Sequence, residues 1–251
     1  MRRGPMMEAP VITVPAFASR QDGVRHFFGT RRHAASLCVE VGVPVQRRAG
    51  IPRATWLLSV KQVHGIDALV VDRSLTADDR FDGGWDALVT DRPGVMVAVR
   101  TADCVPVLVH DPERRVVAAI HAGWRGAVAG IVPRTIALMA SRFGSDPARL
   151  RVSIGPSAGV CCYEVDEPVI NRVGHACLAK GEVLRDRPGG KVHLDLKALI
   201  REQVEGMGAS SGSVTVVNLC TICHDDLFFS YRREGKVIGT MVSAIGLVCA
   251  S

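Results

Sequence analysis

Cys104 and His121 stand near the two ends of the stretch TADCVPVLVHDPERRVVAAIHAGWRG, residues 101–126. A thiol and an imidazole are side chains that share a transition metal, or that serve as a nucleophile and its base. The apolar runs Val105–His110 and Arg115–Ile120 read as two strands of a hairpin. If Pro112 and Glu113 are its two loop residues, Asp111 faces Arg114 and Cys104 faces His121. Their Cβ atoms then lie ~5 Å apart on one sheet face, a spacing that suits a shared ion or a thiolate–imidazolium pair. Asp-Pro also opens wider turns, and a slip of one residue would send the two side chains to opposite faces. A buried cysteine or a core histidine is ordinary when taken singly. Here neither is needed to complete the apolar pattern, and each falls at a strand end where a side chain can leave the core.

The segment HAGWRGAVAG (121–130) adds a second kind of chemistry. Its three glycines let a backbone approach a ligand closely, and a helix is expected to begin right after them, where free N–H groups favour anions. Arg125 lies in that turn and is a candidate to bind an anionic group. A different signal sits further on: Cys220-Thr221-Ile222-Cys223-His224 has the C-x-x-C-H form of c-type haem attachment. That reading needs export. The start of the chain has an early basic pair and an AFA-S stretch, but Glu8, Pro10 and Pro15 break any apolar core of a signal peptide. A redox-active C-x-x-C is the other reading of the same residues.

The elements that would position these residues are short. Strands are expected at Val11–Phe17, Val24–Phe28, Trp56–Val63, Ala68–Asp72, Ala87–Thr90, Val95–Arg100, Arg151–Ile154, Ser213–Asn218 and Val237–Ala244. Helices are expected at Ser36–Ile51, at Gly126–Phe143 with Gly144 as its stop, at Glu167–Lys180, and at Leu196–Gly206 with Asp195 as its cap. Pro133 fits the first turn of the second of these or kinks it. Strands and helices do not alternate strictly and hairpins are present. That pattern indicates a mixed-sheet α+β domain over a doubly wound fold. No repeat, low-complexity tract or linker divides residues 1–251.

The 47% hydrophobic content can fill a sizeable core, and 22% charged residues argue against disorder. The net charge of +6 suits anionic substrates such as phosphates or nucleotides. No Lys/Arg run is long enough for a nucleic-acid stripe, and no apolar run reaches the ~18 residues of a membrane span. A cytoplasmic location is therefore expected, where the eight cysteines would be free thiols or ligands. The sequence sets no oligomeric state.

Six motifs occur in a fixed order: KQVHG (61–65), DALVT (86–90), TADC (101–104), HAGWRG (121–126), IGP with CCYEV (154–156, 161–165), and CT with LFFSYRREG (220–221, 227–235). From Trp56 to Leu247 the chain resembles the YfiH/FAMIN family, historically labelled multicopper polyphenol oxidase or laccase. The resemblance implies a single α/β/β/α layered domain with mixed β-sheets. It implies a purine nucleoside enzyme that phosphorolyses adenosine, inosine, guanosine and methylthioadenosine and deaminates adenosine. It also implies a metal site of His64, Cys104 and His121. Residues 1–55 depart from the family pattern: TRRHAAS stands where TR-GGVS is usual, and no clear Asn-Arg precedes AGIP.

Two imidazoles and a thiolate leave a fourth position on tetrahedral zinc, the mark of a catalytic site, and such an ion lowers the pKa of bound water toward ~7. The H-x-E and P-C-x-x-C motifs of known nucleobase deaminases are absent, so the proton shuttle has no obvious owner. Asp103 and Glu164 are candidates; either reads equally as a structural hydrogen-bonding carboxylate, the reading preferred for Asp103. Arg125 and Arg232 are candidates for binding phosphate. Phe228 or Tyr231 could stack on a base, although an FF pair is commonly core. The alternatives are a cysteine hydrolase with Cys104 as nucleophile and His121 as base, of the peptidoglycan-editing type, and a copper-dependent polyphenol oxidase. A non-enzymatic structural zinc protein is a further alternative. A full multicopper laccase would need many histidines in H-x-H pairs, and none of the eight histidines forms one.

Overall fold

The computed structural model describes residues 11–17, 23–34, 41–45, 55–176 and 180–248. Thirteen strands lie in these segments, and most belong to two sheets stacked face to face. The outer sheet has four strands, β1 (Val24–Phe28), β2 (Trp56–Ser59), β5 (Val95–Thr101) and β13 (Met241–Leu247), in the order β1-β13-β5-β2. The inner sheet has six: β3 (Ala68–Val71), β4 (Ala87–Thr90), β6 (Val105–Asp111), β7 (Val116–Ala122), β8 (Arg151–Ile154) and β12 (Val214–Val216). Its order is β12-β8-β6-β7-β4-β3, with antiparallel pairs at its centre and parallel pairs at both edges.

The inner sheet is covered on both sides, so β6 and β7 are buried at every position. Leu108, Val117 and Ala119 face the outer sheet and pack with Phe28, Leu58, Val97 and Ile245. Val107, Val109, Ala118 and Ile120 face the opposite way. They meet α2 (Trp124–Val128), α3 (Ile131–Phe143), α4 (Glu167–Ala176) and α6 (Leu196–Gly206) through residues such as Ile131, Ile136, Val173 and Ile200. On the outer sheet's far face Leu57, Met96 and Val242 pack with Val45. The one-turn α1 (Arg31–Ala34) lies beside β13. This is the mixed-sheet α+β architecture expected from the sequence.

Several elements differ in extent. Val11–Phe17 is not a strand: Ile12 bridges Phe28, and Pro15 opens a 3₁₀ turn because it lacks the N–H a ladder needs. The expected helix over Ser36–Ile51 lies mostly outside the described residues, and within it Val41 and Val45 form β-bridges. The helix expected over Gly126–Phe143 is two helices, because Gly130 adopts φ +87° and breaks the spiral. Pro133 then falls in the first turn of α3, and Gly144 ends it with φ +70°. Asp195 caps α6 by accepting from the Ala198 N–H at 3.0 Å. The last strand starts at Met241, since Val237 and Ile238 are exposed. A small sheet of β9 (Glu164–Val165), β10 (Leu184–Arg187) and β11 (Lys191–Leu194), together with the short helices α5 (Lys180–Val183) and α7 (Tyr231–Glu234), completes the described fold.

The hairpin register is a correction. Asp111 pairs with Val116 and Pro106 with His121, so the loop has four residues, Pro112–Arg115. The Asp111 side chain explains the wider turn by accepting from the N–H groups of Glu113 and Arg114 at 2.9 and 3.0 Å. Cys104 thus lies opposite Gly123, diagonal to His121. A shift by an even number of residues keeps parity, and both side chains stay on the face toward the outer sheet.

Candidate metal centre

The outer sheet hands the chain to the inner sheet through Ala102, Asp103 and Cys104, between β5 and β6. Asp103 takes φ +92°, a conformation that a small polar side chain tolerates, and this turns Cys104 into the seam between the sheets. His121 enters the same seam from β7. His64 arrives from the loop after β2. That loop is held to β5 by Gln62, whose amide exchanges two 2.8 Å hydrogen bonds with the Arg100 backbone. His64 itself has φ +59°.

The ligand atoms of His64, Cys104 and His121 all lie within 4.8 Å of one another. Cys104 Sγ is 3.8 Å from His64 Nε2. The two imidazole rings stand edge to face at 4.8 Å between centroids. A Cβ on Gly123 would sit 2.9 Å from His64 Cδ2 and 3.1 Å from Cys104 Sγ, so glycine leaves the space the cluster fills.

Asp86 orients this group. It is fully buried just before β4, and Oδ1 lies 2.7 Å from His121 Nδ1. The backbone N–H groups of Val63, His64 and Gly65 also donate to its carboxylate, at 3.2, 3.0 and 2.7 Å. One carboxylate therefore sets both the His64 loop and the His121 ring, leaving His121 Nε2 for the cluster. Burial alone would raise the Asp86 carboxyl, but His121 and the Gly65 N–H outweigh it and hold it below the usual range. Burial likewise opposes the His121 cation, yet Asp86 and Cys104 push that ring up to about 9. Cys104 is brought down to about 7, because its bonds to His121 and His64 overcome desolvation.

The cluster opens into a cavity of about 650 Å³ whose lining includes Trp124, Arg125, Tyr163, Tyr231 and Arg232. Arg125 lies over Trp124 at 4.6 Å and Arg232 over Tyr163 at 5.3 Å. Burial, and then the nearby Cys104 charge, raise the Tyr163 hydroxyl to about 12, so it stays a neutral donor. An adjoining cavity of about 510 Å³ shares Trp124, Arg125, Tyr163 and Arg232 and adds Glu164 and Arg172. Glu164 is absent from the lining of the first cavity, and its carboxylate pairs with Lys191 at 2.7 Å. Arg125 lies in α2, a helix of five residues, so its own guanidinium and not a long helix dipole supplies the positive charge.

Asp103 lines the same cavity but is not one of the three clustered ligands. Its carboxylate accepts from Thr221 Oγ1, Ser230 Oγ and the Arg232 N–H at 2.5, 3.0 and 2.7 Å, the satisfied structural role among its two readings. Phe228 is fully buried, so it cannot stack on a ligand, whereas the exposed Tyr231 lines the cavity. Asp86, Trp124 and Tyr163 belong to the motifs DALVT, HAGWRG and CCYEV, which mark none of the three by residue type or spacing. Asp86 reaches His121 only through the pairing of β4 with β7, whereas Trp124 follows His121 by three residues.

Fold and site together define a class: an α+β enzyme domain with a His–Cys–His cluster at the seam of two sheets, open to a ligand-sized cavity. The profile of the family described as multi-copper polyphenol oxidoreductase laccase matches residues 42–248, and the chain belongs to that family. A Bacteroides thetaiotaomicron protein named purine nucleoside phosphorylase is 41% identical over 64% of this chain, a match that spans 60% of the relative's own length. A Deinococcus radiodurans protein of the same name is 35% identical over 97% of this chain and 93% of its own. A protein of an unknown prokaryotic organism, named adenosine deaminase RL5, is 34% identical over 75% of this chain and 74% of its own. The crystal structure of YlmD from Geobacillus stearothermophilus superposes with a TM-score of 0.76 at 28% identity, covering 94% of each chain.

Proposed function

We propose that this chain is a zinc-dependent purine nucleoside enzyme. It would phosphorolyse adenosine, inosine, guanosine and methylthioadenosine to free base and ribose 1-phosphate, and deaminate adenosine to inosine. The observation that carries this reading is the His64–Cys104–His121 cluster opening onto a cavity walled by aromatic rings and arginines. Relatives named for these two activities support it.

The donor set fits zinc. Two imidazole nitrogens and one low-pKa thiolate suit a borderline-soft ion, and all three residues line the cavity, so His64, Cys104 and His121 would hold it. When bound, zinc supplies Lewis acidity and an activated water. The side chains do the rest. Trp124, Tyr163 and Tyr231 offer flat surfaces to a purine. Arg125 and Arg232 bind phosphate, and the adjoining cavity with Glu164 accepts ribose hydroxyls. Tyr163 is a neutral donor for the leaving base. The substrates are small molecules, and the free thiols suit a reducing cytoplasm.

The test is chromatography of adenosine incubated with purified, zinc-loaded protein, with and without phosphate. Adenine and ribose 1-phosphate formed only with phosphate establish the phosphorylase, and inosine in both samples the deaminase. Adenosine unchanged in both overturns the proposal.

One observation favours a second reading. A Cys104 thiol at about 7 beside His121 is also a nucleophile with its base. A cysteine hydrolase of the peptidoglycan-editing type would keep its activity after chelation, whereas the zinc enzyme loses it. A single copper ion on the same three residues is the oxidase version. Among the described residues, the other metal-ligating cluster contains cysteine alone, which leaves a multicopper centre without histidine ligands.

A further inference from the structure

The two cysteines of the C-x-x-C-H stretch have no part in the site described above, and the fold gives them different neighbours. Parallel pairing of β8 with β12 brings two turns side by side, and an isolated bridge between Ser157 and Cys220 extends that pairing. One turn carries Cys161 and Cys162, and the other carries Cys220 and Cys223. The four Sγ atoms all lie within 4.8 Å of one another. Cys223 Sγ is 3.5 Å from Cys161 Sγ and 3.3 Å from Cys162 Sγ.

We propose that Cys161, Cys162, Cys220 and Cys223 form a second metal site, structural in role, that holds one zinc ion through four thiolates.

Three observations support it. The spacing is right: bonds of ~2.3 Å in a tetrahedron place the sulfurs about 3.8 Å apart. All four cysteines are free, and the closest sulfurs stand well beyond the ~2.05 Å of a disulfide. A four-iron cluster puts each cysteine on a separate iron and spreads the sulfurs further than this. The second observation is that backbone N–H groups converge on one of the four sulfurs, that of Cys220. The N–H of Gly159 donates to Cys220 Sγ at 3.2 Å, and those of Ile222 and Cys223 point to the same sulfur. A Cβ on Gly159 would lie 3.0 Å from Cys220 Cβ and 3.2 Å from Cys161 Sγ, so only glycine lets the two turns close. The third is that core packing does not explain the cluster, because Cys161 and Cys223 are exposed. Four sulfur ligands and no open position define a closed, structural zinc site.

The site braces the active cavity from behind. The Cys161–Cys162 turn leads directly into Tyr163. Thr221, between the other two ligands, donates to Asp103, and Arg233 Nη1 donates to the carbonyls of Thr221 and Ile222 at 2.8 and 3.1 Å.

The test counts zinc in the full chain, purified under thiol reductant, by elemental mass spectrometry. Wild type is expected to hold about two equivalents. His64→Ala/His121→Ala should keep one, and so should Cys220→Ser/Cys223→Ser. The first variant leaves the four cysteines intact, so it decides the matter even if the second fails to fold. Reloaded with Co²⁺, it should show the intense sulfur-to-cobalt charge transfer of a tetrathiolate. A His64→Ala/His121→Ala chain that binds no zinc overturns the proposal. So do a cobalt spectrum lacking multiple thiolates and recovery of these cysteines as disulfides in non-reducing peptide maps. None of these outcomes depends on purine turnover.

Discussion

Asp86 Oδ1 and His121 Nδ1 lie 2.7 Å apart, with neither side chain meaningfully open to solvent. The same carboxylate collects three consecutive backbone N–H groups of the His64 loop. An amide has one acceptor oxygen and turns a donor toward this ring of donors. Asp86→Asn should lower zinc affinity by roughly 10–100-fold, with a parallel fall in kcat. Competition against a chromophoric chelator measures it, and an unchanged affinity would reduce Asp86 to a clamp on the loop.

Metal binding should depend on pH in a defined direction. Zinc takes a neutral imidazole and a thiolate. In the metal-free chain His121 stays protonated up to about 9, so binding below that value must expel its proton. Below about 7 the Cys104 proton must leave as well. Apparent zinc affinity therefore rises with pH, by at least about tenfold per unit between 7 and 9 and more steeply below 7. Calorimetry in buffers of different ionisation enthalpy counts the released protons, and a flat profile would contradict the coupling.

Gly123 has φ −70°, which alanine adopts freely, so Gly123→Ala tests space and not backbone strain. The new methyl would meet His64 and Cys104 at 2.9 and 3.1 Å. Zinc affinity should fall by at least about tenfold while circular dichroism and the yield of folded protein hold. An unchanged affinity would show that the cluster relaxes around a methyl group.

Asp103→Asn separates positioning from catalysis. Asparagine tolerates the left-handed backbone, but its amide nitrogen must face Thr221 on one side, or Ser230 and Arg232 on the other. The loss should be about 1–3 kcal/mol of stability. Arg232 would then drift, raising KM for phosphate more than it lowers kcat. A large loss of kcat at unchanged KM would instead make Asp103 a participant in proton transfer.

His26 carries a separate pH effect. Burial, and then the proximity of His110, lower its pKa to about 4, and its Nε2 accepts from the Val14 N–H at 2.8 Å. An unfolded histidine titrates near 6.5. As pH falls from about 6.5 toward 4, the unfolded chain takes up a proton that the folded chain refuses. The associated stability is fully present above that window and is lost across it. Urea midpoints over this range should drop less for His26→Gln than for wild type, and parallel curves would remove His26 from the acid response.

The hairpin shows what was legible in the sequence and what was not. Apolar runs marked β6 and β7 to within about two residues, because both faces are buried. The register was two residues out, since the Asp111 turn is a side-chain hydrogen-bond feature that strand pattern does not encode. The small three-stranded sheet escaped because LRDR is short, polar and mostly exposed. Cys104 and His121 stood out by being surplus to the core. Asp86 did not, because its work depends on β4 lying beside β7. The second cysteine cluster was visible only as half a motif, since its other half arrives through the pairing of β8 and β12.

The His64–Cys104–His121 triangle straddles the seam. One corner follows an outer strand, one lies on the crossing between sheets, and one ends an inner strand. Neither sheet alone can assemble it, so the binding-competent arrangement appears only after the two sheets dock, a late and long-range event in the chain's collapse. Under the proposed zinc assignment, metal uptake during refolding would be a clock for docking. An ion seated there would close the sandwich like a rivet, slowing the parting of the layers more than it hastened their meeting.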